Sequence, residues 1–406
     1  MVNTTLANIT NTLVNGTNTL VNGTNSTLLN ASSTSKLAFI KNLITPELSV
    51  VVLSISAVAV IMVVVVKNVI PVSHFLYANA RIQARSNFMV TEQSLLDLTE
   101  AKSLKEFRSL LRETTYGEEL EKAEEGLRPF HIALEKGSTE TILELVELSP
   151  EKSKPLFDAY LMFLESKILK TIYRAKMMEQ EIDSNLVYAI GNIDQNILKR
   201  LLETETISDM GVVMAPTKYA KIFDNKYSGL EEFEVSLDQF VFNNFVDTTK
   251  KTKMHDGKAI IDILNKKVDI SNILALLKFR IRGTEKEKQK SLLINNGTDL
   301  CLRFEKIINT ETLKDFVEEF KNMPYHEPLT KALEKYEKDN ALSHFENDLF
   351  RFFKKFVVSN DMGHTLGPYP LFSYLIKREI ELRNLFITSR GIDAKFSTEK
   401  IRGMII

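Results

Sequence analysis

The sequence predicts an all-α protein in which a transmembrane helix precedes three related helical modules that form a funnel. Three observations lead there. Leu48–Val66 runs nineteen residues without a charge. Only 10 prolines and 15 glycines occur in 406 residues, which suits long helices. Similar helix-opening and helix-closing patterns recur three times along the body at intervals of 103 to 112 residues, as in proteins built from a repeated unit.

The apolar run comes first. At ~1.5 Å per residue its helix covers most of a ~30 Å hydrocarbon core. Its valines favour a strand, but buried strands usually stop after about four to eight residues. A secretory signal has an apolar core of about 7–15 residues and then a small-residue cleavage site; this run is longer and no such site follows. The run divides a head, residues 1–47, from a body of three modules, 67–181, 182–283 and 284–406.

The head is Asn, Thr, Ser and Leu with almost no charge, and TLVNGTN occurs twice. It has too little apolar surface for a core and reads as a disordered tail. Asn3, Asn8, Asn15, Asn22, Asn25 and Asn30 fit the glycosylation acceptor pattern, which places the head outside. The body carries one cysteine, Cys301, so an internal disulfide and a cysteine metal cluster are excluded and a reducing compartment is expected. The balance of 52 basic against 53 acidic residues gives no sign of a nucleic-acid binder.

In chain order, Pro71 allows a break, and His74–Phe88 resumes a helical pattern. Thr91 and Ser103 precede short helices, the second with Phe107, Leu110 and Leu111 as its apolar stripe. Leu120–Lys136 is helical, with Pro129 a kink or a new start; Gly137-Ser138 is expected to end it before a short helix, Thr139–Leu148. A long helix, Leu156–Glu181, closes the first cycle. The second has short elements at Ile197–Thr204, Ile207–Val213 and Thr217–Phe223. A long helix Leu230–Lys251 follows, with lysines at its C-terminal end. Then come Ile260–Lys267 and a helix from Asp269 through Arg282. The third has Thr312 capping LKDFVEEF, then Leu329–Asp339 and the aromatic helix Leu342–Val358. A Gly/Pro loop leads to Leu371–Ser389, which Gly391 ends, and Thr398–Ile406 is a short tail.

The cycles share three patterns. Leu104-Lys-Glu-Phe107 matches Leu313-Lys-Asp-Phe316, with Ile207-Ser-Asp-Met210 between. Glu124–Leu127 matches Glu234–Leu237 and Glu346–Leu349, each read as opening a long helix. Last, an acid is followed by a branched apolar residue four on and a base nine on: Glu165, Leu169, Arg174; Asp269, Ile273, Lys278; Glu381, Leu385, Arg390. Nine residues is 2.5 helical turns, so acid and base do not pair with each other. Either they reach neighbouring helices and pack the modules, or they line a surface that docks a partner.

Catalytic patterns are missing. There is no GxxxxGK[ST] phosphate loop, GxSxG elbow or HExxH pair, and the six histidines are scattered. His364, in the loop 361–369, is a candidate ligand but reads as an ordinary loop histidine. Cys301 reads as a small buried hydrophobe. No catalytic residue, cofactor or metal is expected, and no direct nucleotide binding.

Tyr77-Ala-Asn-Ala-Arg81-Ile, Thr114-Thr-Tyr-Gly117 and Gly367-Pro-Tyr-Pro-Leu371 together resemble the C subunit of the archaeal A-type ATP synthase, a family that includes the d subunit of the V-type ATPase. The resemblance covers about residues 70–406. It implies an all-helical funnel of three modules and a non-catalytic rotor part. Such a part sits on the membrane ring of proteolipid subunits and receives the central stalk, so that ion flow drives ATP synthesis. The partners it implies are stalk subunits, proteolipid ring and membrane, with the body on the cytoplasmic side of the cell membrane. Family members generally begin near the YANAR helix, so the apolar run departs from the pattern. The alternative is a membrane-anchored helical scaffold that recruits a soluble partner.

Overall fold

The computed structural model describes residues 46–406; the head and its six acceptor asparagines lie outside the described residues. The chain divides into two units, residues 1–70 and 71–406. In the first, helix α1 (Pro46–Val64) passes into a π-turn, Val65–Val69. The apolar side chains from residue 50 onward are exposed, and residues 50–67 are long and apolar enough to cross a membrane. Ser54 and Ser56 satisfy their hydroxyls on the carbonyls of Val50 and Val52, so these two serines present little unpaired hydrogen-bonding capacity. The short helix α2 (Ile70–Ser73) follows.

The second unit is helical apart from one isolated bridge between Ile190 and Ile193. It opens with α3 (Leu76–Ser86) and then α4 (Glu92–Leu98), capped by Thr91, whose hydroxyl accepts from Ser94 N. A recurring order begins there. Helix α5 (Leu104–Leu110) is capped by Ser103. A turn ending at Tyr116 leads to α6 (Gly117–Lys122), then to the long pair α7 (Leu127–Glu147) and α8 (Lys154–Met177).

The order returns after α9 (Gln195–Glu203), as α10 (Ile207–Met214), α11 (Ala220–Asp224) and the long pair α12 (Leu230–Thr252) and α13 (Gly257–Arg282). It returns again after α14 (Lys286–Ser291) and α15 (Phe304–Ile308), as α16 (Leu313–Glu318), α17 (His326–Asp339), α18 (Ser343–Asp361) and α19 (Tyr369–Asp393). Thr206 and Thr312 form full capping boxes with Asp209 and Asp315, so the LKEF-type pattern is a helix start by its own chemistry. Helix α20 (Thr398–Met404) follows.

Several boundaries differ from the sequence reading. Pro129 is third in α7, in the first turn, where its missing N–H has no helical partner to lose. Gly137 and Ser138 do not end that helix. Both are buried within it, and packing outweighs the ~1 kcal/mol that glycine costs a helix. Asp269 does not start a helix but lies buried in the middle of α13. Gly391 does not end α19: a Cβ there would stand 2.6 Å from Ile401 Cγ1, so this glycine lets α20 lie close. Leu237 and Leu349 fall inside α12 and α18, whereas Leu127 begins α7. The residue matching Leu127 is Leu230, each following a glycine at the N-cap.

The long helices pack in a closed sequence. α8 lies against α12, α13 against α18, and α19 against α7. The second helix of each pair thus meets the first of the next, and the last pair meets the first. A large apolar core fills most of this unit, with Phe157, Phe233, Phe245, Phe353 and Phe372 among its buried members. A smaller one joins residues 95–134 to residues 385–405.

Candidate functional site

The three acids of the repeated pattern stand at matching places midway along α8, α13 and α19. Glu165, Asp269 and Glu381 are 0%, 2% and 6% exposed. A buried carboxylate must find donors or forfeit its hydration, and each finds a tyrosine. Tyr219 donates its hydroxyl to Glu165 Oε2 at 2.6 Å. Tyr325 donates to Asp269 Oδ2 at 2.7 Å, and Tyr116 to Glu381 Oε2 at 2.8 Å. Each tyrosine lies twelve residues beyond the first residue of α5, α10 or α16.

The remaining acceptor capacity is met differently. Asn192 gives Glu165 its backbone N–H at 2.8 Å and its side-chain amide at 3.0 Å. Gly191 is left-handed, and a Cβ there would meet Glu165 Oε1 at 2.0 Å, so the turn approaches only because it has no side chain. Asp269 takes the Asn296 amide at 2.8 Å and the Thr298 hydroxyl at 2.7 Å. Glu381 takes Val90 N at 2.5 Å and the Arg378 guanidinium at 2.6 Å. Arg378 is fully buried and lies 4.2 Å from the centre of the Tyr116 ring.

Burial pushes the Glu165 carboxyl above its ordinary range, and the donors from Tyr219 and Asn192 return only part of the shift. Burial first, then the facing carboxylate, raises Tyr116, Tyr219 and Tyr325. These hydroxyls stay protonated and keep donating.

The bases part company with the acids. Arg174, Lys278 and Arg390 are all exposed. Arg174 pairs with Glu234 across to α12 at 2.5 Å; among the described residues neither Lys278 nor Arg390 has an ion pair. Arg174 also borders a cleft of about 370 Å³ with Lys167, Lys170, Tyr188 and Glu379. Burial alone would raise Glu379, but Lys267 and Lys167 hold it below the usual carboxylate range. Near Arg390, His131 bonds Ser389 Oγ at 2.9 Å; burial, then the Arg390 charge, lowers its pKa to about 4. His364 bonds the buried Asp256 at 2.9 Å. Among the described residues no three metal-ligating side chains converge.

Residues 78–404 match the sequence pattern of the ATP synthase (C/AC39) subunit family. This chain belongs to that family. It is 25% identical to the A-type ATP synthase C subunit of Methanocaldococcus jannaschii, over 88% of this chain and 93% of that one. Identity is 25% to the protein of that name from Pyrococcus abyssi, over 81% and 89% of the two chains. It is 26% to that from Thermococcus gammatolerans, over the same shares. The Methanocaldococcus match takes in more than residues 71–406 supply, so it reaches back into the apolar stretch; the expectation that relatives begin near the YANAR helix is corrected for this one. As a member of the ATP synthase (C/AC39) subunit family the chain is a structural subunit, not an enzyme.

Sequence reasoning singled out the acids but missed their partners. Tyr116 stands in the TTYG segment of this ATP synthase subunit, yet its recurrence as Tyr219 and Tyr325 at the same offset was the available signal. Asn192, Asn296 and Arg378 carried none, because their roles depend on segments brought together by folding.

Proposed function

We propose that this subunit is a rotor part of an A-type ATP synthase, coupling the central stalk to the membrane proteolipid ring so that ion flow drives ATP synthesis. The observation that carries this is the closed order of contacts, α8 on α12, α13 on α18 and α19 on α7, with a buried tyrosine–carboxylate bond across each step. A part that transmits torque must not shear between its pieces. Three helical modules, 67–181, 182–283 and 284–406, joined into a ring give each piece two neighbours, and the enclosed funnel receives the stalk. Glu165, Asp269 and Glu381 then serve to pack the modules. Lys278 and Arg390, together with Arg174, which also pairs with Glu234 across the α8–α12 contact, form the docking charges for the stalk.

The helix α1 anchors the subunit in the cell membrane, with the head outside and the body in the cytoplasm. Each buried methylene contributes ~0.8 kcal/mol, and a helix satisfies its own backbone in lipid.

Co-purification tests the rotor reading: the tagged native chain should bring down stalk and proteolipid subunits together. Charge reversal of Arg174, Lys278 or Arg390 should weaken stalk retention more than ring retention, and full stalk retention by all three variants would refute the docking role. Carbonate extraction followed by protease from outside tests the anchor, with the chain retained and only about the head trimmed, as a span of ~20 residues requires.

A further inference from the structure

We infer that one end of the body, built from the start of α3, the α12–α13 turn and the α18–α19 loop, is a docking surface for an anionic lipid bilayer. Three segments distant in sequence are tied together there. Asn79 of α3 donates its side-chain amide to the Gly367 carbonyl at 3.1 Å. His364, in the α18–α19 loop, bonds Asp256 Oδ1 at 2.9 Å, and His255 bonds the same oxygen at 2.8 Å. Asp256 is 2% exposed, so this knot is part of the packed body. Tyr369 supports it, its ring centre 4.7 Å from that of His364.

This knot presents apolar side chains outward. Met362 is 87% exposed, Tyr77 65%, Leu76 55%, Val358 48% and Leu366 47%. Beside them Lys250, Lys251 and Lys253 are exposed and unpaired among the described ion pairs. The nearby acids do not cancel them: Asp256 is buried between the histidines, and Asp361 is taken by Lys377 and Ser373, which leaves Asp247 on α12 and Asp262 on α13 against three lysines. A helix C-terminus attracts cations to its own end, but that does not account for five apolar side chains beside them. Apolar side chains with a tyrosine and a rim of lysines fit the boundary between headgroups and acyl chains, where aromatic rings anchor and lysines reach phosphates. The charge sign selects an anionic surface.

The docking rests on the reading that the protein works at a membrane. Leu76 follows Val66 by ten residues, at most ~35 Å of extended chain, so an anchored α1 would keep this end within reach of the bilayer.

The chain contains no tryptophan, so a single introduced indole reports alone. The experiment uses the full chain carrying Met362→Trp, reconstituted in bilayers of phosphatidylcholine with or without phosphatidylglycerol, with brominated acyl chains as the contact quencher. The expected result is a blue-shifted emission, quenched by brominated lipid, and more so when the anionic lipid is present. Adding Lys250→Gln, Lys251→Gln and Lys253→Gln should lower the docked-to-undocked ratio about fivefold for each lysine lost.

Three results would overturn the proposal: an unquenched indole in anionic bilayers, quenching that ignores the lysines, or equal quenching of Leu302→Trp, another highly exposed site. In the assembled complex, an indole shielded from water yet unquenched by lipid would assign the surface to a protein partner instead. Carbonate extraction of the same samples separates the two readings: a chain that stays in the membrane with an unquenched indole loses the docking surface and keeps the anchor.

Discussion

Two of the three carboxylate seams join segments 54 and 56 residues apart, while the third joins segments 265 residues apart. Their chemistry differs accordingly. Glu165 and Asp269 are held by neutral groups, Tyr219 with Asn192 and Tyr325 with Asn296 and Thr298. Glu381 adds a buried cation, Arg378. Closing the longer loop costs roughly 1 to 1.5 kcal/mol more by the logarithmic dependence on length. The bond between Arg378 and Glu381 joins two ions and comes in addition to the tyrosine and backbone bonds that Glu381 accepts, which works against that difference. The cation brings a liability the other seams lack. Arg378 Nε and Nη2 are buried without a hydrogen-bond partner, so its charge is compensated by Glu381 and by the Tyr116 ring face. The first two seams are therefore ordinary satisfied polar contacts, and the third is an ion pair that tolerates no loss of either member.

The largest expected effect breaks that comparison directly. Glu381→Ala leaves Arg378 charged, buried and unpaired, and should cost ~3–5 kcal/mol in urea denaturation. Glu165→Ala and Asp269→Ala strand only neutral donors and should cost ~1–3 kcal/mol each. Equal losses at all three sites would mean that the cation adds nothing to the closing seam.

Removal of single hydroxyls sharpens the comparison. Tyr116→Phe, Tyr219→Phe and Tyr325→Phe each delete one hydrogen bond to a carboxyl and should cost ~1.5–3 kcal/mol. Tyr116→Phe should cost the least, because phenylalanine keeps the ring face that Arg378 covers and Arg378 still bonds Glu381.

A pH series probes the packing of α7 on α19. His131 has its pKa lowered to about 4 from an ordinary 6.5. The unfolded chain therefore takes up a proton first as pH falls, and the folded state loses stability between those values. The loss should be ~2 kcal/mol, allowing for partial exposure, and His131→Phe should lack it. Parallel melting-temperature profiles for the two chains between pH 7 and pH 4 would remove this account of the histidine.

The smallest effect separates seam from surface. Arg174→Glu, Lys278→Glu and Arg390→Glu alter exposed groups and should each change stability by under ~1 kcal/mol, read from melting temperature. A loss as large as that at the seam carboxylates would place the bases in the packing as well.

Local chemistry made much of the fold legible in the sequence. The capping residues Thr91, Ser103 and Thr312 name their helix starts because the cap is a bond within three residues. The nineteen-residue apolar run needed nothing but its length to be read as a helix. The recurring acids at 165, 269 and 381 were visible as a pattern.

What that pattern does was decided by tertiary structure. Asp269 looked like a helix start because an aspartate before an apolar stretch often is one; it is instead a buried acceptor for a tyrosine 56 residues away. Gly391 looked like a helix end and is a point of close approach to Ile401. Glu381 and Tyr116 come together only when the last long pair packs on the first. The reason is the range of the interactions. Caps, propensities and hydrophobic length act within a few turns of chain, whereas the desolvation of a carboxylate, and hence its need for a partner, is fixed only once distant segments close over it.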